Sequence, residues 1–292
     1  MTFDRSSANR TITLMSEAAR ANREDARRMG QLIELPPHGD LMVVGDLHGN
    51  LKNYEAVLKI AKMDRAPQRH LILQELVHDF DVDSGEPCRS WQLVEMSARL
   101  KKTFPDRAHI LLGNHEMAEL CDLAIAKHGC ELNERFRDGV HAAYGARMED
   151  VFEAYRNFWR TLPLAARTAH KLFIVHSTPK LGKMGPFSLD WFRGGASAEA
   201  WSRRSPVFDL VWGRDYSQKA ADEFARRVES ELLLVGHTPA RKGYASPNSR
   251  HVVLDSKDEG GGYAILPLDR PLKQSDVLGS IKPLFPNRVF EW

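Results

Sequence analysis

The sequence predicts an α/β fold built on mixed sheets, on three grounds. Strand-like apolar runs alternate with amphipathic helices in its first half, strand-like runs dominate its second half, and neither a fixed-period repeat nor a low-complexity linker divides it. A purely parallel system would keep alternating to the end. With 292 residues, 42% of them hydrophobic, the chain can bury a full core. The predicted organisation is one principal domain over residues 39–270, with a helical extension at 1–38 and a tail at 271–292.

Each element follows from local pattern. Residues 12–33 (ITLMSEAARANREDARRMGQLI) are rich in Ala, Arg and Glu, with apolar residues near helical spacing, and predict a helix that packs one stripe and solvates the rest. Pro36, Pro37 and Gly39 break that pattern, and LMVVGD then reads as a buried strand ending at Gly45 and Asp46. Asn50 caps a predicted helix over LKNYEAVLKIAKM, so the first unit is strand, glycine turn, helix. The grammar repeats with a strand at 70–77 (HLILQELV) and a helix at 90–104 (SWQLVEMSARLKKTF). A third strand at 109–114 (HILLGN) leads into a helix from about His115 and a mostly helical stretch to Arg167. Strand-like runs follow at 171–177 (KLFIVHS), 232–238 (LLLVGHT), 251–256 (HVVLDS) and 262–268 (GYAILPL).

Charge and cysteine content exclude several classes of function. Forty-one Lys and Arg against 39 Asp and Glu leave a formal charge of +2, so no global field recruits a nucleic acid polymer or an anionic membrane. An anionic substrate must be held locally. Cys88, Cys121 and Cys130 form no CxxC pair, which argues against a disulfide framework or a thiolate zinc site. The first thirty residues lack an apolar signal core and no run reaches the length of a membrane span, so a cytoplasmic protein is expected.

The informative feature is what ends the strands. GDLHGN, QE, GNHE, VHS and GHT each close a strand-like run and each offers a metal-binding group. Loops at the carboxyl ends of strands converge on one crevice in α/β sheets, so Asp46, His48, Glu75, Asn114, His176 and His237 are expected in one cluster. Their mix of carboxylate, imidazole and amide oxygen suits Mn, Fe or Zn. A shared carboxylate can hold two such ions about 3.5–4 Å apart, close enough for both to act on one phosphoryl group. Lone histidines such as His70, His141, His170 and His251 are read as hydrogen-bonded surface or core residues, and Glu116 equally well as a carboxylate at a helix N-terminus.

GDLHGN at 45–50, GNHE at 113–116, VHS at 175–177 and GHT at 236–238 resemble, in order, the motifs of the calcineurin-like metallophosphoesterase superfamily. Within it they are most similar to the phosphoprotein phosphatase branch, which includes bacterial serine/threonine phosphatases and symmetrical diadenosine tetraphosphatases. The resemblance covers roughly residues 40–256. It implies a four-layer α-β-β-α sandwich of two mixed sheets flanked by helices, with 39–270 as the catalytic domain. It also implies two metal ions, manganese first and iron or zinc as alternatives, with Asp46, His48 and His237 on one ion and Asn114 and His176 on the other. The family's bridging Asp belongs to a GDxxDRG motif, and the corresponding strand here reads QELVHDF, which aligns Glu75 with the bridge and keeps Asp79 and Asp81 as substitutes. The same motif departs twice more: the Asp that orients the catalytic histidine aligns with His78, and the phosphate-binding Arg aligns with Asp79. His115 then resembles the general acid, Asp79 is offered as its partner, and Arg214, after Trp212, as the phosphate-binding cation. The implied function is hydrolysis of phosphomonoesters by a metal-bridging hydroxide, with a phosphoprotein or small phosphate ester as substrate and a serine/threonine-type protein phosphatase as the preferred subclass. A dinucleotide polyphosphate hydrolase and a degenerate phosphate- or partner-binding protein are the alternatives.

Overall fold

The computed structural model describes residues 5–80, 85–127, 129–195 and 200–286. Its first part runs α1 (Arg5–Arg23), β1 (Arg28–Met29), β2 (Leu32–Glu34), β3 (Asp40–Asp46), α2 (Leu51–Ala61), β4 (Arg69–Gln74), α3 (Trp91–Thr103), β5 (Ala108–Leu111) and α4 (Asn114–Leu120). The middle holds β6 (Ala126–Lys127), β7 (Cys130–Glu131), α5 (Leu132–Tyr144), α6 (Met148–Trp159), β8 (Ala165–Arg167), β9 (Leu172–Val175), α7 (Leu189–Arg193) and α8 (Pro206–Val211). The last part is α9 (Gln218–Arg227), β10 (Leu232–Val235), β11 (Tyr244–Ala245), β12 (His251–Leu254), β13 (Gly262–Pro267), α10 (Gln274–Ser280) and β14 (Ile281–Pro283).

Two mixed sheets result, as the alternation predicted. One has seven strands in the order β1-β2-β8-β9-β10-β12-β11, the other five in the order β14-β13-β3-β4-β5. Strands β3, β4 and β5 are parallel, as are β9, β10 and β12, while β13 and β14 and the far strands of the larger sheet add antiparallel pairs.

The apolar runs are continuous because both faces of each central strand are covered, and the period-2 alternation of side chains divides them between two cores. Leu41 and Val43 of β3, Ile72 of β4, Leu172 and Ile174 of β9, Leu232 and Leu234 of β10, and Val252 and Leu254 of β12 form one cluster in which the sheets pack face to face. Their neighbours Met42, Val44, Leu71, Leu73, Phe173, Val175, Leu233 and Val235 point the other way. There they join Val57 of α2, Val94 and Ala98 of α3, Trp159 of α6 and Phe224 of α9. Layers of helix, sheet, sheet and helix follow directly.

The first helix differs from its predicted span of 12–33. It runs over 5–23 and buries Ala8, Thr11, Met15, Ala18, Ala19 and Asn22, one stripe at helical spacing, against α3 and α6. Asp25 ends it: its Oδ1 accepts the Arg27 amide at 2.9 Å, a local turn that competes with the helix. The chain then enters β1 and β2, and Leu32–Glu34 pair in parallel with β8. The mostly helical stretch up to Arg167 holds α4, α5 and α6, the small β6/β7 hairpin and β8. Among the described residues no helix is long and apolar enough to cross a membrane.

Candidate metal centre

The predicted ligands sit at the carboxyl ends of five strands. Asp46 is the last residue of β3, His48 lies two further on, and Glu75 follows β4. Asn114 opens α4 three residues beyond β5, His176 follows β9, and His237 stands two residues after β10. The five-stranded sheet thus supplies four of the six and the seven-stranded sheet the other two. The sheets meet at this point, where Asp46 bridges Asp255 and the Gly45 amide donates to Ser256 Oγ at 2.8 Å.

The loops that carry these residues turn sharply. His48, Glu75, His78 and His237 all have positive φ, at 42°, 47°, 64° and 65°, a left-handed backbone that non-glycine residues seldom adopt. Neighbouring groups hold them there. Glu116 Oε1 accepts the amides of Leu76 at 2.7 Å and Val77 at 3.2 Å, so this carboxylate anchors the loop after β4. The Leu47 and His48 amides both donate to the Glu75 carbonyl, at 3.0 and 2.9 Å.

The side chains converge and are all buried. Asn114 Oδ1 lies 2.9 Å from His176 Nε2 and 2.7 Å from His237 Nδ1. Glu75 Oε2 stands 3.1 Å from His176 Nε2 and 3.9 Å from His48 Nε2. Asp46 Oδ1 accepts the His237 amide at 3.0 Å, and its Oδ2 is 4.0 Å from His48 Nε2. Two three-donor groups close enough to hold an ion emerge among the described residues: His48, Glu75 and His115, and Glu75, His176 and His237. Glu75 is common to both. His237 therefore groups with His176, whereas the resemblance put it with Asp46 and His48, although it also touches Asp46 through its backbone.

The electrostatics fit a cation. Burial drives the Asp46 carboxyl up to about 7 and, with Glu75 nearby, that of Glu116 up to about 7. Burial also takes Glu75 up to about 8, because three acids are packed together out of water with little positive charge to balance them. Burial equally holds His48 and His237 well below the usual imidazole value, the neutral form in which a ring nitrogen binds metal. His176 Nδ1 and His237 Nε2 are buried with no hydrogen-bond partner among the described residues. On the other side of each ring, His176 Nε2 and His237 Nδ1 converge on Asn114 Oδ1, with Glu75 Oε2 beside the former; imidazole nitrogens gathered with a carboxylate and an amide oxygen are the donor set that divalent ions satisfy.

Arg214 comes to the same place. Its Nη2 is 3.4 Å from the His237 carbonyl, and Trp212 lies edge-on to the His237 ring at 6.3 Å. Gly213 makes this approach possible, since a Cβ there would stand 1.8 Å from the Thr178 carbonyl oxygen. A cavity of about 600 Å³ opens beside His48, lined also by Asn50, Asp79, Phe80, Arg135 and Lys257.

The partner of His115 is not Asp79. Asp79 Oδ1 is 3.1 Å from the Arg135 guanidinium and its Oδ2 accepts the Arg89 amide at 2.9 Å, which turns it away. His115 Nδ1 instead lies 2.9 Å from His78 Nδ1, and His78 Nε2 lies 2.7 Å from Glu119 Oε1. Sequence inspection missed Glu119 because it sits 41 residues from His78 in a stretch without motif; its place one helical turn beyond His115 on α4 was the available signal. Asp81 lies outside the described residues. His70 and His251 are buried and hydrogen-bonded, to His109 at 3.2 Å and to Thr178 at 3.1 Å.

Comparison with known proteins agrees with this geometry. A probable serine/threonine-protein phosphatase of Encephalitozoon cuniculi is 26% identical over 273 residues, covering 84% of this chain and 54% of the relative. The chain thus spans about half the length of that curated relative. A protein serine/threonine phosphatase structure from Saccharomyces cerevisiae, with similarity to human phosphatase PP5, superposes with a TM-score of 0.68 at 17% identity, over 92% of this chain and 86% of that one. A cold-active protein-tyrosine phosphatase of a psychrophilic Shewanella gives 0.61 at 13% identity, over 91% and 84%. At these identities the two superpositions speak for the fold. The profile of the calcineurin-like phosphoesterases matches residues 40–241, the span that carries all six converging residues, and the chain belongs to that family of metal-dependent phosphoesterases.

Proposed function

We propose that this metallophosphoesterase hydrolyses phosphomonoesters as a serine/threonine-type protein phosphatase, with Asp46, His48, Glu75, Asn114, His176 and His237 holding two divalent ions, manganese the first choice. The observation that carries this reading is the buried convergence of these six residues, with Glu75 in both three-donor groups. Asp79 and Asp81 stay second to Glu75 as the bridging carboxylate. Ions held there supply an acidified water and positive charge for the phosphoryl oxygens. Residues 39–270 carry the chemistry, and α1 and β14 of the flanking segments pack on them.

The chain's own residues do the rest. The Arg214 guanidinium offers two parallel donors that match two phosphoryl oxygens, which a lysine cannot do. The His115 ring stands 4.7 Å from that of His48, within the centre, and gives its proton to the departing oxygen. Burial and the neighbouring His48 and His78 rings keep the free His115 imidazole well below its usual value. An arriving phosphoryl anion favours the protonated ring and loads the acid as substrate binds.

Metal analysis and substrate comparison together test this. The purified chain is expected to hold two ions per molecule, to lose turnover of an aryl phosphate after chelation and regain it with manganese, and to prefer phosphoserine peptides to dinucleoside polyphosphates. The opposite preference would move the assignment to the small-phosphate hydrolase. A folded chain that binds no metal and turns over nothing would leave only the phosphate- or partner-binding alternative.

A further inference from the structure

Beside the centre two ammonium groups come together from different loops. The Phe80 ring packs on that of His48 with centroids 4.1 Å apart, and Lys127 Nζ stands 3.1 Å from the same Phe80 centroid. Two groups so near one ring centre cannot share a face, so the phenyl ring is sandwiched between an imidazole of the candidate centre and a lysine of the β6/β7 hairpin. No carboxylate pairs with Lys127 among the described residues. Lys257 approaches from the loop after β12 and lines, with His48 and Phe80, the cavity of about 600 Å³. That loop is fixed: Asn50 Nδ2 donates to the Lys257 carbonyl at 2.7 Å, and Asn53 Nδ2 donates to the carbonyls of Ser256 and Asp258 at 2.7 and 2.8 Å. Lys257 Nζ is paired with Asp255 Oδ2 and lies 3.5 Å from Asp258 Oδ2. Burial, and then repulsion from Lys257, hold the Lys127 ammonium below its usual value, so the two charges feel each other. The acids near them compensate only in part, because Asp255 is committed to Lys257 and the Asp258 side chain, 76% exposed, is screened by water.

We infer that Lys127 and Lys257, on either side of the cavity wall that Phe80 makes, form a subsite for a second anionic group of the substrate, so that the preferred ester is a phosphoserine with Asp or Glu next to it. This deepens the protein-phosphatase reading and rests on it. A carboxylate arriving there relieves the repulsion between the two ammonium groups and accepts charge-assisted hydrogen bonds from both. The scissile phosphoryl group stays with the centre on the His48 side of Phe80. The subsite therefore holds the substrate and takes no part in bond breaking.

The test gives the metal-loaded full chain two phosphoserine peptides that differ only beside the phosphoserine, Asp in one and Asn in the other. The Asp peptide is expected to have a kcat/KM about tenfold higher, chiefly through KM, the size of one charge-assisted contact. Lys127→Met, which keeps an apolar stem over Phe80 and removes the charge, and Lys257→Met should each bring the ratio of the two peptides to within about twofold. Because both peptides are measured on one preparation, the ratio does not depend on how much of a variant is folded. A wild-type ratio near one, or a ratio that survives both substitutions, would overturn the inference. A nucleoside diphosphate set against its monophosphate separates the sources of the second anion: a lysine-dependent preference there, with none between the peptides, would replace the carboxylate by a neighbouring phosphoryl group and overturn the inference as stated. If the loaded chain hydrolyses an aryl phosphate but neither peptide, the protein-phosphatase reading fails by itself. Fluorescence anisotropy with the same two peptides then decides the subsite: tighter binding of the Asp peptide that both substitutions abolish supports it, and equal affinities overturn it.

Discussion

Gly236 stands where no larger residue fits, since a Cβ there would lie 2.3 Å from Asp46 Oδ1. Gly236→Ala should therefore push that carboxylate off its position and weaken metal binding about 10–100-fold, as loss of supporting contacts to ligands does, with the fold intact; chelator competition would measure it. Glu75→Gln should lower the metal count from two to one and abolish most turnover, because an amide cannot bridge as an anion does. Acids at this centre also dictate how the metal-free chain responds to pH. The unfolded chain releases the protons of Asp46, Glu75 and Glu116 above pH about 4.5, whereas burial makes the folded chain keep them up to about 7, 8 and 7. The folded state then binds more protons, so stability must fall as pH rises through that window. Denaturant midpoints of the chelated protein should drop as pH rises from about 4.5 to about 8, and Glu75→Gln should flatten the slope.

At the level of elements, the link from α1 to α3 and β5 is ionic and dry. Asp25 Oδ2 lies 2.6 Å from Lys101 Nζ and 3.2 Å from His109 Nδ1, all three side chains being at most 1% exposed. Burial acts to raise the Asp25 carboxyl, but His109 and Lys101 together outweigh it and hold it well below the usual carboxylate range. Asp25→Ala would strand the Lys101 charge and is expected to cost about 3–5 kcal/mol in urea unfolding, whereas the joint change Asp25→Leu with Lys101→Met should recover most of it. Burial also holds His70 down, to about 3, and His109 below its usual value. Acid therefore destabilises through them: as pH falls below about 6.5 the unfolded chain takes up protons that the folded one refuses. Elements of this kind mark the limit of what the sequence discloses. Strands β3, β4, β5, β9, β10, β12 and β13 were legible because each is a run of apolar residues between turn signals, and Asn50 was a legible cap, its side chain accepting the Asn53 amide. Strands β1, β2, β8 and β14 are two or three residues long, too short for any period to show, and owe their extended form to the neighbours they pair with. The candidate ligands were legible because strand ends converge by topology. The contact from His78 to Glu119 was not, because it depends on the left-handed backbone at His78 and on a helix turn that no local pattern announces.

For the molecule as a whole, the two sheets pack through an apolar interior and share one polar edge, where Asp46, His48, Glu75 and Asn114 face His176 and His237. Ions bound across that edge stabilise only the docked arrangement, by RT ln(1 + [metal]/Kd), or about 2.7 kcal/mol per site at a hundredfold excess over Kd. Chelation should lower the melting temperature, and His237→Ala should shrink the difference between loaded and stripped protein. Because the donors are divided between two sheets, time enters as well. The group of Glu75, His176 and His237 draws on both sheets, so an ion there can be captured only after the sheets have come together. Metal supplied to the unfolded chain should leave the early refolding phases untouched and slow only the reverse reaction, and its uptake in a stopped-flow experiment would act as a clock for the last step of assembly.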